Sequence, residues 1–494
     1  MTSVAIIGTG FGGIAAAVRL KRTGVTDLVL FERADDIGGV WRENTYPGAA
    51  CDVMSHLYSL SFAPKADWSR KFAPKAEIHQ YLRDVARDFD VLRHVRFSTE
   101  VLAAAFDEAE NRWVLTLSTG EEHRADVLIA ATGQLSRPSR PAVPGLENFR
   151  GTVFHSAQWN HEHDLTGRRV AVIGTGASAI QFVPAVAPAT ASLSVFQRSA
   201  PYVLPKPDGD YSERARSAYA RVPGLLRLSR ARIYATNELR SLGFNTEPRL
   251  LFAHRARFRR YLREAVPDAG LRARLTPTDP MGCKRILMSN DWYRSLQLPQ
   301  VEVVTEPISG VREHAVVTAD GREHEVDTIV LGTGFAATEF LLPMRVTGRG
   351  GRDLHEQWAD GASAHLGTVV PGFPNLFVLY GPNTNLGHNS IIVMLEAQIG
   401  WVVQAVRLLR RGAAQTLEVR PEVAAGFDAW VQERVGHTVF AGGCRSWYLT
   451  ASGRNTQNWP ASTLTFRRRL RRLRLDEFVV DAPADLVPAG EERA

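Results

Sequence analysis

Arg168-Arg169-Val170-Ala171-Val172-Ile173-Gly174-Thr175-Gly176-Ala177-Ser178-Ala179 is the stretch on which the fold turns. Its β-branched half predicts a strand, and Gly174 to Ala179 form a G-x-G-x-x-A turn that opens into a helical pattern. Glycines there let the backbone bend tightly and approach a pyrophosphate, whose charge then faces a helix N-terminus. Moving outward, a second copy stands at the start of the chain. Val4-Ala5-Ile6-Ile7 runs into Gly8-Thr9-Gly10-Phe11-Gly12-Gly13, and Val29-Leu30-Phe31 supplies the next strand. One glycine turn is weak evidence; two, each in strand–turn–helix–strand context, predict an α/β fold with two Rossmann-like dinucleotide-binding domains.

The copies differ at one informative place. Counting 24 positions from the first glycine leads to Glu32 in one unit and to Arg198 in the other. An acid at that strand end accepts hydrogen bonds from ribose hydroxyls, whereas an arginine suits a ribose carrying a 2′-phosphate. The first site is therefore expected to take FAD and the second NADPH. The plainer reading of Arg198 is a solvated cation at a strand end.

The chain of 494 residues has room for about three domains, and its 45% hydrophobic and 22% charged content is that of an ordinary globular protein. Its net charge of +7 is scattered and accompanies no nucleic-acid motif, so no nucleic-acid partner is expected. Cys51, Cys283 and Cys444 form no C-x-x-C pair, which points to neither a disulfide framework nor a metal site, and to a reducing cytoplasm. Without a basic-then-apolar leader or a long uninterrupted apolar run, a soluble protein with no membrane partner is expected.

Three blocks follow in chain order. Residues 1–147 read as the first part of the FAD domain, with an amphipathic helix from Lys75 to Asp88. Strands around Trp113-Val114-Leu115-Thr116-Leu117 and Asp126-Val127-Leu128-Ile129-Ala130 are expected to return to its sheet. Residues 148–325 read as the NADPH domain, carrying a helical insertion at about 208–280 with apolar positions such as Leu225, Leu226 and Leu228 and arginines on a wet face. Residues 326–494 read as the second part of the FAD domain. Asp327 to Leu331 should return to the first sheet, followed by a strand around Leu376 to Tyr380, a helix from about Ser390 to Leu409, and an arginine-rich terminal helix. The tail beyond Asp481 reads as frayed.

Two segments are more specific. Phe149-x-Gly151-x-x-x-His155-x-x-x-Trp159 precedes the second glycine turn, and Gly38-Gly39-x-Trp41-x-x-x-x-Tyr46-Pro47-Gly48-x-x-x-Asp52 follows Glu32. Together they resemble the paired signatures of type I Baeyer–Villiger monooxygenases. Flavin-containing N- and S-monooxygenases share the first pattern, but with Phe or Tyr in place of Trp159. Asn160 departs from the Pro or Asp that the family usually has there.

The resemblance implies insertion of one oxygen atom from molecular oxygen beside a ketone carbonyl, through a peroxyflavin, to give an ester or lactone. It implies Arg285 as the active-site cation with Asp52 orienting it, and Lys284 beside Arg198 at the NADPH 2′-phosphate. Trp447 would close over the nicotinamide side, Gly39 and Trp41 would belong to the flavin site, and His155 would couple domain motion. The chemistry is coherent, because a guanidinium cannot lose its proton in a protein and so suits an anionic peroxide and the alkoxide formed from the ketone. Taken singly, His155 reads as a hydrogen-bonded structural histidine, Trp41, Trp159 and Trp447 as core aromatics, and Lys284-Arg285 as a surface dibasic step. Oxygenation of amines or sulfides is the alternative function. A disulfide reductase would require a redox cysteine pair, which is not expected here, and a non-catalytic flavin scaffold would consume no NADPH. The substrate and the oligomeric state are not readable from the residues.

Overall fold

The computed structural model describes residues 2–245, 249, 251–444 and 446–481, so the expected frayed tail lies outside the described residues. Two parallel five-stranded sheets organise the chain. In the first, Val4–Ile7 is central, flanked by Leu28–Phe31 and Val127–Ala130, with Val95–Arg96 and Leu376–Val378 at the edges. In the second, Arg169–Ile173 is central, flanked by Ser192–Phe196 and Thr328–Leu331, with Val301–Val304 and Thr152–His155 outside them. All four residues of Val4–Ile7, Val127–Ala130 and Thr328–Leu331 are buried, as expected for parallel strands covered on both faces.

Two sequence expectations are corrected. The strand Thr328–Leu331 does not return to the first sheet; it pairs with Arg169–Ile173 and Thr152–His155 in the second. An apolar four-residue run carries no label for which of two similar sheets it completes, and the partner is set by tertiary packing. Likewise Arg112–Leu117 stands in a separate four-stranded sheet with Val101–Asp107, Glu122–Ala125 and Arg345–Thr347, and only Val127–Ala130 joins the parallel sheet. The helix at Lys75–Asp88 is as read. Ile391–Arg410, 20 residues long and apolar enough by composition to cross a membrane, packs against Phe11–Lys21 inside the first core.

The insertion is helical, with Glu213–Arg221, Leu225–Asn245, Leu251–Ala265 and Ala269–Arg274. Its long helix docks largely by polar side chains, joined near its end by Phe244, which is buried against Phe440. Arg230 Nη1 donates to the carbonyls of His56 (3.0 Å), Leu57 (3.2 Å) and Ser59 (2.8 Å). One turn on, Tyr234 Oη meets Thr463 Oγ1 at 2.8 Å, and Glu238 accepts from Asn389 Nδ2 (2.7 Å) and Thr463 Oγ1 (2.6 Å). Asn245 Nδ2 donates to the Ala461 carbonyl at 2.9 Å. Positions 230, 234, 238 and 245 lie on one helical face. Leu228 lies on the other, 66% exposed, so the apolar spacing read at that position does not mark the packed side.

Arg230→Ala strips charge-assisted bonds from three carbonyls, at a cost of about 2 kcal/mol or more. Trypsin should then nick the insertion roughly thirtyfold faster under native conditions, through more frequent local opening. An unchanged rate would place the docking energy elsewhere.

Candidate active site

Both glycine turns sit where a central strand ends and a helix begins. In the first, a side chain on Gly13 would place its Cβ 1.9 Å from the Gly8 carbonyl oxygen, so strand and helix approach at a distance that only glycine permits. In the second, Gly174 has φ +111°, and a Cβ there would lie 2.4 Å from the Gly332 carbonyl oxygen. Around Gly176 there is open space, as a cradle for a ligand requires. Glu32 ends the strand Leu28–Phe31, buried, accepting from Thr9 Oγ1 (2.6 Å) and the Ala34 N–H (3.1 Å) and pairing with Arg42 at 3.0 Å. Helix Phe11–Lys21 begins after Gly10, and helix Ala179–Val186 after Ser178.

One cavity of about 2060 Å³ joins the two turns. That is roughly twice the upper end of an ordinary small-molecule pocket and has room for two dinucleotides. Gly8, Gly10, Glu32, Gly39, Trp41 and Asp52 line it from the first sheet's side. Gly174, Thr175, Gly176, Ser178 and Arg198 line it from the second, with Lys284, Arg285 and Trp447 between. Gly13 and Ala179 stand behind the wall, and the 149–159 signature is also outside it.

The segment carrying Trp41 to Asp52 reaches from the first sheet across to the second. Tyr46 Oη donates to Gln181 Oε1 at 3.0 Å, and Gln181 Nε2 returns a bond to the Ala50 carbonyl at 3.0 Å. A Cβ on Gly48 would lie 2.7 Å from the Gln181 carbonyl oxygen. This docking places Asp52 Oδ2 2.5 Å from Arg285 Nη2, an ion pair whose two side chains are 34% and 30% exposed towards the cavity. The Asp52 carboxylate, above all, holds the Arg285 guanidinium proton more tightly than in an ordinary arginine. Tyr380 and Tyr448 stand close enough to feel that charge, and sequence reasoning singled out neither. Burial pushes the Tyr448 phenol up to about 12, so it stays protonated. Tyr380, at φ +56°, donates from its hydroxyl to Asn385 Oδ1 at 3.0 Å. A positive φ on a non-glycine residue beside Gly381-Pro382 was the one available signal, and it is a property of the backbone rather than of the letters.

Lys284 Nζ donates to Ser199 Oγ (2.8 Å) and pairs with Asp279 (2.6 Å), beside the exposed Arg198. Trp447 is 37% exposed and its ring lies 4.5 Å from that of Tyr448. Trp41 Nε1 donates to Tyr58 Oη at 3.2 Å. Contrary to the cysteine reading, Cys283 and Cys444 form a disulfide, while Cys51 is free and buried. Their separation of 161 residues hides the pair from any local spacing rule. Among the described residues no cluster of histidine, cysteine and carboxylate side chains could hold a metal ion.

Residues 1–211 match the family model described as FMO-like, flavin-binding monooxygenase-like. A protein of Streptomyces coelicolor (strain ATCC BAA-471 / A3(2) / M145) named Baeyer-Villiger monooxygenase is 46% identical over 483 residues, 97% of this chain and 93% of its own length. The chain belongs to the Baeyer–Villiger monooxygenases. A second protein of that name, from Pseudomonas aeruginosa, is 44% identical over 95% of this chain and 89% of its own. Among solved structures, a steroid monooxygenase bound to NADP matches with a TM-score of 0.85 at 33% identity, covering 97% of this chain and 99% of the other. Cyclohexanone monooxygenase from Rhodococcus sp. Phi1 bound to NADP+ matches with a TM-score of 0.87 at 28% identity over the same shares.

The signature of this Baeyer–Villiger monooxygenase lies where the chain crosses between sheets. Stretches 131–139 and 332–337 run side by side there, joined by Ser139 N–H to the Gly334 carbonyl (2.8 Å) and Ala336 N–H to the Arg137 carbonyl (2.9 Å). His155 is fully buried beneath them, its ring 5.9 Å from that of Phe335, and its Nδ1 accepts the Ala157 N–H at 3.0 Å. Burial lowers its pKa, favouring the neutral ring. A Cβ on Gly151 would meet the Phe149 ring at 2.5 Å and the Asp327 carbonyl oxygen at 2.3 Å, which explains their pairing in the motif. Trp159 packs on Phe154 and on Phe182 of the second sheet's helix. Asn160 Oδ1 accepts the Glu162 N–H at 3.1 Å, performing the turn-forming task of an aspartate.

Gly13→Ala should abolish flavin retention, because its methyl group cannot coexist with the Gly8 carbonyl. Purified variant with the wild-type absorbance near 450 nm, about the flavin maximum, would refute the cradle.

Proposed function

We propose that this enzyme, an FAD-containing, NADPH-dependent flavoprotein monooxygenase, inserts one oxygen atom beside the carbonyl of a small-molecule ketone to give an ester or lactone. The observation that carries the reading is the Arg285–Asp52 pair in the wall of a cavity served by both glycine turns. Gly8, Gly10, Gly13 and Gly39 give the FAD pyrophosphate its approach, with Glu32 at the ribose. Gly174, Thr175, Gly176, Ser178 and Ala179 do the same for NADPH. Arg198 and Lys284 take the 2′-phosphate, Asp279 holding the ammonium in place until then. Bound FAD supplies the electron and oxygen transfer, with NADPH as hydride donor.

The chain's own groups provide charge and shape. Arg285 presents a permanent cation to negative oxygen, both on the oxygen donor and on the alkoxide that the ketone becomes. Asp52 keeps the guanidinium aimed and charged. Trp447, Tyr448 and Tyr380 surround it with protonated or apolar surface, which excludes water and strengthens the field of the cation. His155 steadies the crossing at which the two halves adjust to each other. The need for NADPH suits a cytoplasmic setting.

Arg285→Ala should bind FAD and accept hydride from NADPH but release hydrogen peroxide in place of ester, a loss of at least about a hundredfold in ester formation on the scale of an oxyanion donor. Retained ester would reject the assignment. Arg198→Ala should raise the KM for NADPH much more than that for NADH, and equal rises would remove its phosphate role. Product mass spectrometry with a cyclic ketone beside an aryl sulfide separates carbonyl from heteroatom oxygenation.

A further inference from the structure

Cys283 and Cys444 bring together two segments named above for other reasons. Cys283 directly precedes Lys284-Arg285, and Cys444 stands three residues before Trp447. Their Cα atoms are 6.3 Å apart, within the span of a disulfide. Around the bond the segments fit closely. A Cβ on Gly282 would lie 3.1 Å from Val439 Cγ2, and one on Gly442 3.4 Å from Pro280. Beyond Cys444, Tyr448 N–H donates to Ser446 Oγ (3.2 Å), Leu449 N–H to the Ser446 carbonyl (3.1 Å) and Thr456 N–H to the Tyr448 carbonyl (3.3 Å). The turn bearing Trp447 is anchored on one side by the buried Tyr448 ring, 5.7 Å from that of Phe440, and the covalent link adds a second tie, to the segment of the active-site cation. Cys444 lines the cavity but is only 6% exposed and Cys283 is fully buried, so a small thiol or peroxide reaches the bond from the cavity side, when the segment opens locally. In a reducing compartment such bonds are commonly transient and redox-responsive rather than structural staples.

We propose that Cys283 and Cys444 are positioning residues forming a reversible tether, which when oxidised keeps the Trp447 turn closed over Lys284 and Arg285 and when reduced lets it open. The inference rests on the reading of that cavity as the NADPH and oxygenation site. A dithiol reduces the bond, giving two protein thiols and a cyclic disulfide. Hydrogen peroxide restores it: two electrons leave the two thiols, the S–S bond forms, and the peroxide becomes two waters. Peroxide is also what a monooxygenase releases when oxygen is reduced without a substrate being oxygenated, so leakage would itself drive the turn shut.

The test uses holoenzyme, with and without dithiothreitol, followed by iodoacetamide and peptide mass spectrometry. Untreated protein should yield a cross-linked peptide containing positions 283 and 444, and treated protein should carry the label on both. If reduction lowers the closed fraction to about a tenth, the apparent Kd for NADP+ rises about tenfold, read by equilibrium binding. Protease cleavage within 437–455 should quicken, the peroxide yield per NADPH should rise, and added hydrogen peroxide should reverse all three. A Cys283→Ser/Cys444→Ser double variant with normal FAD content should match reduced wild type and ignore dithiothreitol. If that variant does not fold, the two redox states of the wild type decide the matter alone. NADP+ affinity and cleavage that stay the same after proven reduction would overturn the tether, as would both thiols being free at isolation and refusing oxidation. Absence of ester from every ketone in both redox states would count instead against the oxygenation reading.

Discussion

A cation that cannot discharge, gripped by a carboxylate carried over from the opposite sheet, is the constraint around which this molecule is arranged. Arg285 belongs to the side of the second sheet and Asp52 to a segment launched from the first, and the docking of Tyr46, Gly48 and Ala50 on Gln181 helps bring them together. Charges this close to a low-dielectric wall are stable only in a well-bonded pair. The register between the halves and the electrostatics of the cavity are therefore a single geometric fact. A shift that separated the sheets would also leave Asp52 and Arg285 unpaired.

What the letters revealed follows from how local each requirement is. A turn that demands glycine at fixed offsets after a β-branched run is written within about a dozen residues, and both copies could be read directly. Glu32 and Arg198 were found by counting along one strand–helix–strand unit, and both line the cavity. The helix at Lys75–Asp88 announced itself by period. Features that depend on distant partners were hidden. Thr328–Leu331 joined a sheet its sequence does not name, the two cysteines met across 161 residues, and Arg230 proved to be a half-buried docking group where a wet arginine was expected. Tyr380 and Tyr448 lie beside Arg285 through tertiary packing alone.

The insertion shows a related lesson about amphipathic patterns. Its long helix turns Arg230, Tyr234, Glu238 and Asn245 inward and leaves Leu228 and Leu239 outward, 66% and 69% exposed. Where the docking surface is made of carbonyls and hydroxyls, polar side chains are the ones that gain partners on contact. Hydrophobic period then reports helicity correctly, while the exposed Leu228 and Leu239 show that it does not by itself mark the packed face.

The paired crossing at 131–139 and 332–337 has a mechanical meaning. Two antiparallel straps bonded to each other resist twist between the halves better than a lone strap would. The cavity walls on either side of the crossing are thereby held in one alignment, which one strand of chain alone would leave free to twist. Precision in such a machine comes from restricting its freedom rather than from rigidity.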